Sequence, residues 1–110
     1  MLLSFENQFY NIKYLDSLKL NIPSDYMTRS AKFQYLGPDL VSFDLYQTLS
    51  TLEVPTLIIY GDKEPAAVFS ASHMASHFTN AKVKIINDCG HFPFIEQKEL
   101  YFEIIDSFLH

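Results

Sequence analysis

The chain reads Asp88-Cys89-Gly90-His91-Phe92-Pro93-Phe94-Ile95-Glu96 directly after an apolar run at residues 83–86. A second apolar run, at residues 56–60, lies one crossover upstream and leads into Gly61-Asp62-Lys63-Glu64. Short β-branched runs are typical of strands that are buried on both faces of a parallel sheet. Residues 54–110 therefore predict the order strand, helix, strand, helix, with parallel strands joined by a right-handed crossover.

The two helices of this part are predicted from apolar spacing. After Ser70, a plausible N-cap, apolar side chains recur on one narrow stripe, formed by Ala71, Met74, Ala75 and Phe78. A wider stripe that includes Leu100, Ile104 and Phe108 predicts a closing amphipathic helix.

Residues 1–53 read as a separate, mostly helical segment. Apolar residues at steps of three and four predict one helix that ends at Asn21-Ile22-Pro23; they are Leu2, Phe5, Phe9, Ile12, Leu15 and Leu18. Ser24 is predicted to cap a second helix, residues 36–39 to form a turn, and residues 44–52 to form a short helix.

Composition limits the classes of protein to be considered. The chain has 110 residues, of which 48% are apolar, enough for one globular domain or part of one. Its net charge of −5 argues against nucleic acids or anionic membrane surfaces as partners. The sequence predicts no signal peptide and no membrane span. A single cysteine excludes an intrachain disulfide and favours a cytoplasmic location.

A carboxylate and an imidazole follow the two predicted strands. Glu64 lies four residues after Tyr60, and His91 lies five residues after Ile86. The carboxyl ends of parallel strands meet at one edge of a sheet, so both side chains are expected there. An imidazole can take a proton from a serine hydroxyl and return it to a leaving group, and a carboxylate can fix its tautomer.

The stretches at residues 55–62 and 88–96 resemble the α/β-hydrolase superfamily, among the lid-bearing members that include proline iminopeptidase-like peptidases, esterases and epoxide hydrolases. In that family a Gly-Asp-x-Asp-Pro segment supplies the acid of a Ser–His–acid triad, and a Gly-His-Phe/Trp-Pro segment supplies the histidine. The resemblance implies Glu64 as the acid and His91 as the base. It also implies that residues 54–110 are the C-terminal part of the α/β-hydrolase core and that residues 1–53 are the remnant of a helical lid, corresponding to its end.

Two departures from the family pattern qualify this interpretation. Glu64 stands where the family usually has Asp, so Asp62 remains a minor alternative for the acid. The nucleophile elbow Gly-x-Ser-x-Gly is absent, since none of the three glycines flanks a serine in that way. We therefore expect a serine-type hydrolase of small amides, esters or related bonds. Aminopeptidase-like action on a small peptide or amide is the first substrate hypothesis. The isolated C-terminal chain is expected to be inactive. No cofactor is expected.

The alternative is a non-catalytic chain, truncated or split, or an interaction subunit that docks through its sheet edge. Two parallel strands leave backbone N–H and C=O groups unpaired, which favours self-association or a complementary N-terminal half as partner. A small metal- or ligand-binding module built on His73, His77, Cys89 and His91 is a third hypothesis, because His73 and His77 are spaced as helical zinc ligands are. Cys89 is a conceivable nucleophile, but its position predicts a small packed residue.

Overall fold

The computed structural model describes residues 2–64 and 67–110. Two 3-10 helical stretches, Leu2–Gln8 and Ile12–Ser17, come first. They are followed by α1 (Tyr26–Phe33), a single 3-10 turn (Gln34–Leu36), α2 (Gly37–Ser42), α3 (Tyr46–Leu49), β1 (Thr56–Gly61), α4 (Ala67–Ser76), β2 (Ala81–Ile86), α5 (Pro93–Glu96) and α6 (Lys98–Leu109).

The two strands are parallel, as the sequence predicts. They pair from Thr56 opposite Ala81 to Gly61 opposite Ile86. Helix α4 is the crossover between them and packs against both strands. Because a crossover of this kind keeps both carboxyl ends at one edge of the sheet, the loops after Gly61 and Ile86 emerge side by side.

The core of the described residues is small and lies under the loop that contains His91. Its buried apolar side chains are Phe9, Ile58, Ala71, Ile86, Cys89 and Phe92. In contrast, α1 to α3 contain no fully buried side chain, and Val41 in α2 is 89% exposed. The helices between residues 26 and 49 therefore have little core of their own.

The predicted helix over residues 2–18 is wrong, because the structure has two 3-10 stretches there. The break between them has a physical cause. The carbonyl of Gln8 accepts a hydrogen bond from the backbone N–H of His91, and the N–H of Asn11 donates to the Glu96 carboxylate. Backbone groups that are used in tertiary hydrogen bonds cannot also complete an α-helix.

Three further local predictions need correction. The predicted turn at residues 36–39 is the start of α2, where Pro38 sits in the first turn and its missing N–H costs nothing. Ser24 is not a cap, since Asp25 precedes α1 and its side chain pairs with Arg29 instead. Ser70 lies inside α4, which already runs from Ala67. The short helix within residues 44–52 and the closing helix are confirmed as α3 and α6.

Gly61, at the end of β1, is required by close contact with the neighbouring loop. A Cβ at this position would lie within 3.0 Å of backbone atoms of Cys89 and Gly90. We expect Gly61→Ala to lower the free energy of unfolding by about 1–3 kcal/mol, because backbone rather than a flexible side chain must move. Urea unfolding followed by circular dichroism measures this change.

Gly37→Ala is the matched control for that substitution. A Cβ at Gly37 meets nothing within 4 Å, so the free energy of unfolding should change by less than about 1 kcal/mol. Equal destabilisation by the two variants would contradict the close contact between β1 and the His91 loop.

Candidate active site

Two loops meet at the carboxyl edge of the sheet, joined by backbone hydrogen bonds. The N–H of Asp62 donates to the carbonyl of Ile86 at 2.8 Å, and the N–H of Lys63 donates to the carbonyl of Cys89 at 2.9 Å. These bonds continue the pairing of β1 and β2 beyond the last strand residues. These main-chain contacts thus help to fix the position of the loop after β1 relative to the loop after β2.

Glu64 and His91 are brought into direct contact by these loops. Oε2 of Glu64 lies 2.5 Å from Nδ1 of His91. The glutamate side chain is 13% exposed and the histidine side chain 54% exposed. A carboxylate on Nδ1 favours the tautomer with its proton on that nitrogen, which leaves Nε2 as a proton acceptor.

Asp62 has a different set of partners. Its Oδ1 accepts a hydrogen bond from the N–H of Cys89 at 3.1 Å, and its Oδ2 lies 3.2 Å from Nζ of Lys63. Burial acts to raise the pKa of Asp62, but the Cys89 N–H and the Lys63 ammonium outweigh it and hold that pKa below its ordinary value. Asp62 therefore ties the two loops together, and Glu64 is the carboxylate in contact with the imidazole.

An apolar groove of about 580 Å³ borders the Glu64–His91 pair. One wall is the face of β1 and the other is α6, with the start of α5 at one end. Both members of the pair line this groove, together with Leu57, Ile59, Pro93, Phe94, Tyr101 and Ile105. The groove provides an apolar surface next to an acid–base pair, which is the usual character of a small-molecule site.

Cys89 is a packed residue rather than an exposed thiol. Its side chain is fully buried, and its Sγ donates to the carbonyl of Gly90 at 3.6 Å. Burial, assisted by the negative charges of Glu96 and Asp62, raises the pKa of Cys89 to about 12. The thiolate is the reactive form of cysteine, so this environment suppresses nucleophilic reactivity.

This leads to a prediction for thiol modification. At pH 8 we expect Cys89 in the folded chain to react with a disulfide reagent such as dithiobisnitrobenzoate on the order of 10³-fold more slowly than in the urea-unfolded chain. The reason is that burial raises the pKa of this thiol to about 12 and also shields its sulfur from the reagent. Equally fast modification of the folded and unfolded chains would contradict the burial of this side chain.

His73 lies on α4, His77 directly follows its last residue, and both contact an aromatic side chain from the preceding segment. The ring of Tyr46 lies 4.9 Å from that of His73, edge to face, and 4.5 Å from that of His77, stacked. Within residues 2–64 and 67–110, no group of three or more His, Cys, Asp or Glu side chains is arranged to hold a metal ion. The histidine pair thus forms a contact between α3 and α4.

The sequence motifs around His91 give Glu96 no role. The structure buries this carboxylate to 6% exposure and gives it two backbone N–H donors, from Gly90 and Asn11. One signal was available, since an acidic residue closes an otherwise apolar run after His91. Asp88 was also missed as a conformational feature, and it adopts a positive φ of 53° at the turn that leads into this loop.

The family model described as alpha/beta hydrolase fold matches residues 3–98. The chain belongs to this family. The described residues contribute two parallel strands with flanking helices, which is part of the α/β-hydrolase fold. The match places both loops of the Glu64–His91 pair inside the α/β-hydrolase region, as the resemblance in the sequence implied.

Curated relatives include peptidases and a lipase. A proline iminopeptidase of Lactobacillus delbrueckii subsp. lactis is 25% identical over 93% of this chain and 40% of its own length. That of Lactobacillus crispatus is 27% identical over 64% of this chain and 24% of its own length. A monoacylglycerol lipase of Rattus norvegicus is 28% identical over 61% of this chain and 20% of its own length.

The α/β-hydrolase chain therefore spans less than half the length of these relatives. No solved structure matches it significantly. In the part of the chain that the structure describes, none of the helices combines the length and apolar character needed to cross a bilayer.

Proposed function

We propose that this chain is the C-terminal part of a serine-type α/β-hydrolase that cleaves a small amide, ester or related bond. The contact between Glu64 and His91 carries the proposal, because it joins an acid and a base at the carboxyl edge of a parallel sheet. The proline iminopeptidase relatives favour an aminopeptidase-like activity as the first to test. Residues 1–53 are proposed to serve as the helical lid of the complete enzyme.

In this proposal His91 moves the proton. Its Nε2 takes the proton of a serine hydroxyl as the serine oxygen bonds to the substrate carbonyl carbon. The imidazolium then gives that proton to the leaving amine or alkoxide as the carbonyl–leaving-group bond breaks, which leaves an acyl-enzyme. Water, deprotonated by the same nitrogen, attacks the acyl carbon and releases the acid, and the proton returns to the serine.

Glu64 assists this reaction without exchanging a proton. As a carboxylate it holds the proton of His91 on Nδ1 and stabilises the imidazolium that forms. The apolar groove beside the pair supplies a surface for an apolar substrate group. These side chains are present in the chain, whereas the sequence contains no Gly-x-Ser-x-Gly to provide the serine.

The experiment is a chimera. The whole 110-residue chain replaces the matching segment of the Lactobacillus delbrueckii subsp. lactis proline iminopeptidase, and turnover of proline p-nitroanilide and p-nitrophenyl esters is measured. We expect hydrolysis by the chimera and none by the isolated 110-residue chain above its His91→Ala variant. The truncated iminopeptidase without the graft is the background control.

Two outcomes would contradict the proposal. Turnover by the isolated chain that is lost in His91→Ala would mean that a nucleophile lies within these residues. A chimera that folds but is inactive would favour the alternative, an interaction subunit. The outer edge of β1 supports that alternative, because among the described residues β1 pairs only with β2, and unpaired strand edges invite association with a complementary half or a second copy.

A further inference from the structure

We infer that Glu96 is a positioning residue. Its carboxylate fixes the backbone at His91 by joining the loop that contains His91 to the N-terminal segment. The inference rests on the proposed function, since it assigns Glu96 to the base of that reaction. It is carried by the burial of the carboxylate and by its two backbone partners. One of these partners, Asn11, lies 85 residues from Glu96 in the sequence.

Each oxygen of the Glu96 carboxylate has its own donor. Oε2 accepts from the N–H of Gly90 at 2.7 Å, and Oε1 accepts from the N–H of Asn11 at 2.9 Å. Across residues 2–64 and 67–110, no Lys, Arg or His forms an ion pair with this carboxylate. A buried carboxylate without a cation is stabilised only by hydrogen bonds, so these two bonds hold it in place.

The first of these donors is the residue directly before His91. The backbone N–H of His91 itself donates to the carbonyl of Gln8 at 2.6 Å. The ring of Phe92, the next residue, packs on Phe9 with 4.7 Å between ring centroids. Three consecutive residues around the imidazole are thus anchored, one by Glu96 and two by the N-terminal segment.

Close packing shows how little freedom this loop has. A Cβ on Gly90 would lie within 3.0 Å of backbone atoms of Gln8 and Tyr10. Glu96 bridges the same two segments through Gly90 and Asn11. Proton transfer requires placement of the base to within about 0.5 Å, so a small displacement of this loop would move His91 away from Glu64.

Glutamine at position 96 is the informative substitution. It preserves shape, but it has one acceptor oxygen and presents an amide N–H₂ to the second backbone donor. One hydrogen bond is lost and one backbone N–H faces another donor. We therefore expect Glu96→Gln to release either Gly90 or Asn11 and to shift the loop, without affecting the pairing of β1 with β2.

Nuclear magnetic resonance of the full 110-residue chain tests this inference through two readouts. The first is the downfield Nδ1–H resonance of His91, assigned by its loss in Glu64→Gln. The second is hydrogen exchange of the Gly90 and Asn11 amides. In Glu96→Gln we expect the imidazole resonance to be lost and at least one of the two amides to exchange at least about tenfold faster, with strand amides unchanged.

Glu103→Gln, on the exposed surface of α6, is the matched control and should leave both readouts unchanged. If Glu96→Gln also speeds the hydrogen exchange of the strand amides, Glu96→Asp is the deciding variant. Aspartate keeps the negative charge, but its side chain is shorter by one methylene and the carboxylate moves away from its two donors. Loss of the His91 resonance with intact strands in Glu96→Asp supports the inference, and an unchanged resonance overturns it.

Two further results would overturn the inference. One is free exchange of the Gly90 and Asn11 amides in the wild-type chain, whether or not its strand amides are protected. The other is an unchanged His91 resonance in a folded Glu96→Gln chain. The proposed function can be contradicted independently of this inference. It is contradicted when Glu64→Gln leaves the Nδ1–H resonance of His91 unchanged, or when the chimera is inactive although the Gly90 and Asn11 amides are protected from exchange.

Discussion

His91→Ala in the chimeric hydrolase is expected to lower kcat by on the order of 10²–10⁴-fold, with a much smaller change in KM. The imidazole is the proposed carrier of the proton in both halves of the reaction, and no other base touches Glu64 in the described residues. Steady-state kinetics with proline p-nitroanilide measures the effect. A variant with unchanged kcat would contradict the role of His91.

The two acids give a matched comparison in the same chimera. Glu64→Gln removes the charge beside Nδ1 of His91, so its kcat should fall by up to about 10⁴-fold. Asp62→Asn keeps a side-chain oxygen for the N–H of Cys89 and should lower kcat by less than about tenfold. The reverse order of effects would assign the acid to Asp62 and contradict the geometry of the pair.

Ile86→Ala is expected to cost about 2–5 kcal/mol of the free energy of unfolding. Ile86 ends β2 at 1% exposure and is one of the largest fully buried side chains among the described residues. Domains are stable by only about 5–15 kcal/mol, so this loss is a large part of the total for a core this small. We expect the urea midpoint of this variant to lie clearly below that of the wild-type chain.

Ile85→Ala is the control for that substitution. The two residues are adjacent in β2 and lose the same atoms, but Ile85 is 36% exposed and leaves a smaller cavity. Its cost should be about 1 kcal/mol or less. Urea unfolding followed by circular dichroism compares both variants with the wild-type chain, and similar midpoints would contradict the placement of the core.

The features that sequence predicted correctly are those with local signals. Apolar β-branched runs identified β1 and β2, and the order of elements fixed their parallel pairing. The distance of Glu64 and His91 from their strands was enough to place both at one edge, because parallel strands end together. This part of the candidate site required no knowledge of tertiary contacts.

The features that were missed depend on contacts between distant residues. Apolar spacing over residues 2–18 favours an α-helix. Two hydrogen bonds interrupt it, since the carbonyl of Gln8 accepts from the N–H of His91 and the N–H of Asn11 donates to the Glu96 carboxylate. The apolar run that Glu96 closes marks this residue in the sequence, but its partners cannot be assigned there, since one of its donors lies 85 residues away. Helix propensity depends on residues that are close in the sequence, and hydrogen bonds to distant residues can override it.

The backbone bonds between the two loops have a consequence for how such enzymes diversify. Asp62 and Lys63 are joined to Ile86 and Cys89 through main-chain groups that any sequence provides. These main-chain bonds therefore set the register of the two loops whatever their side chains, whereas the placement of His91 also needs Gln8, Phe9 and Asn11 from the N-terminal segment. A unit that is recombined with another N-terminal segment keeps its two loops adjacent, and it keeps the alignment of the proton-transfer pair only where that segment supplies equivalent partners.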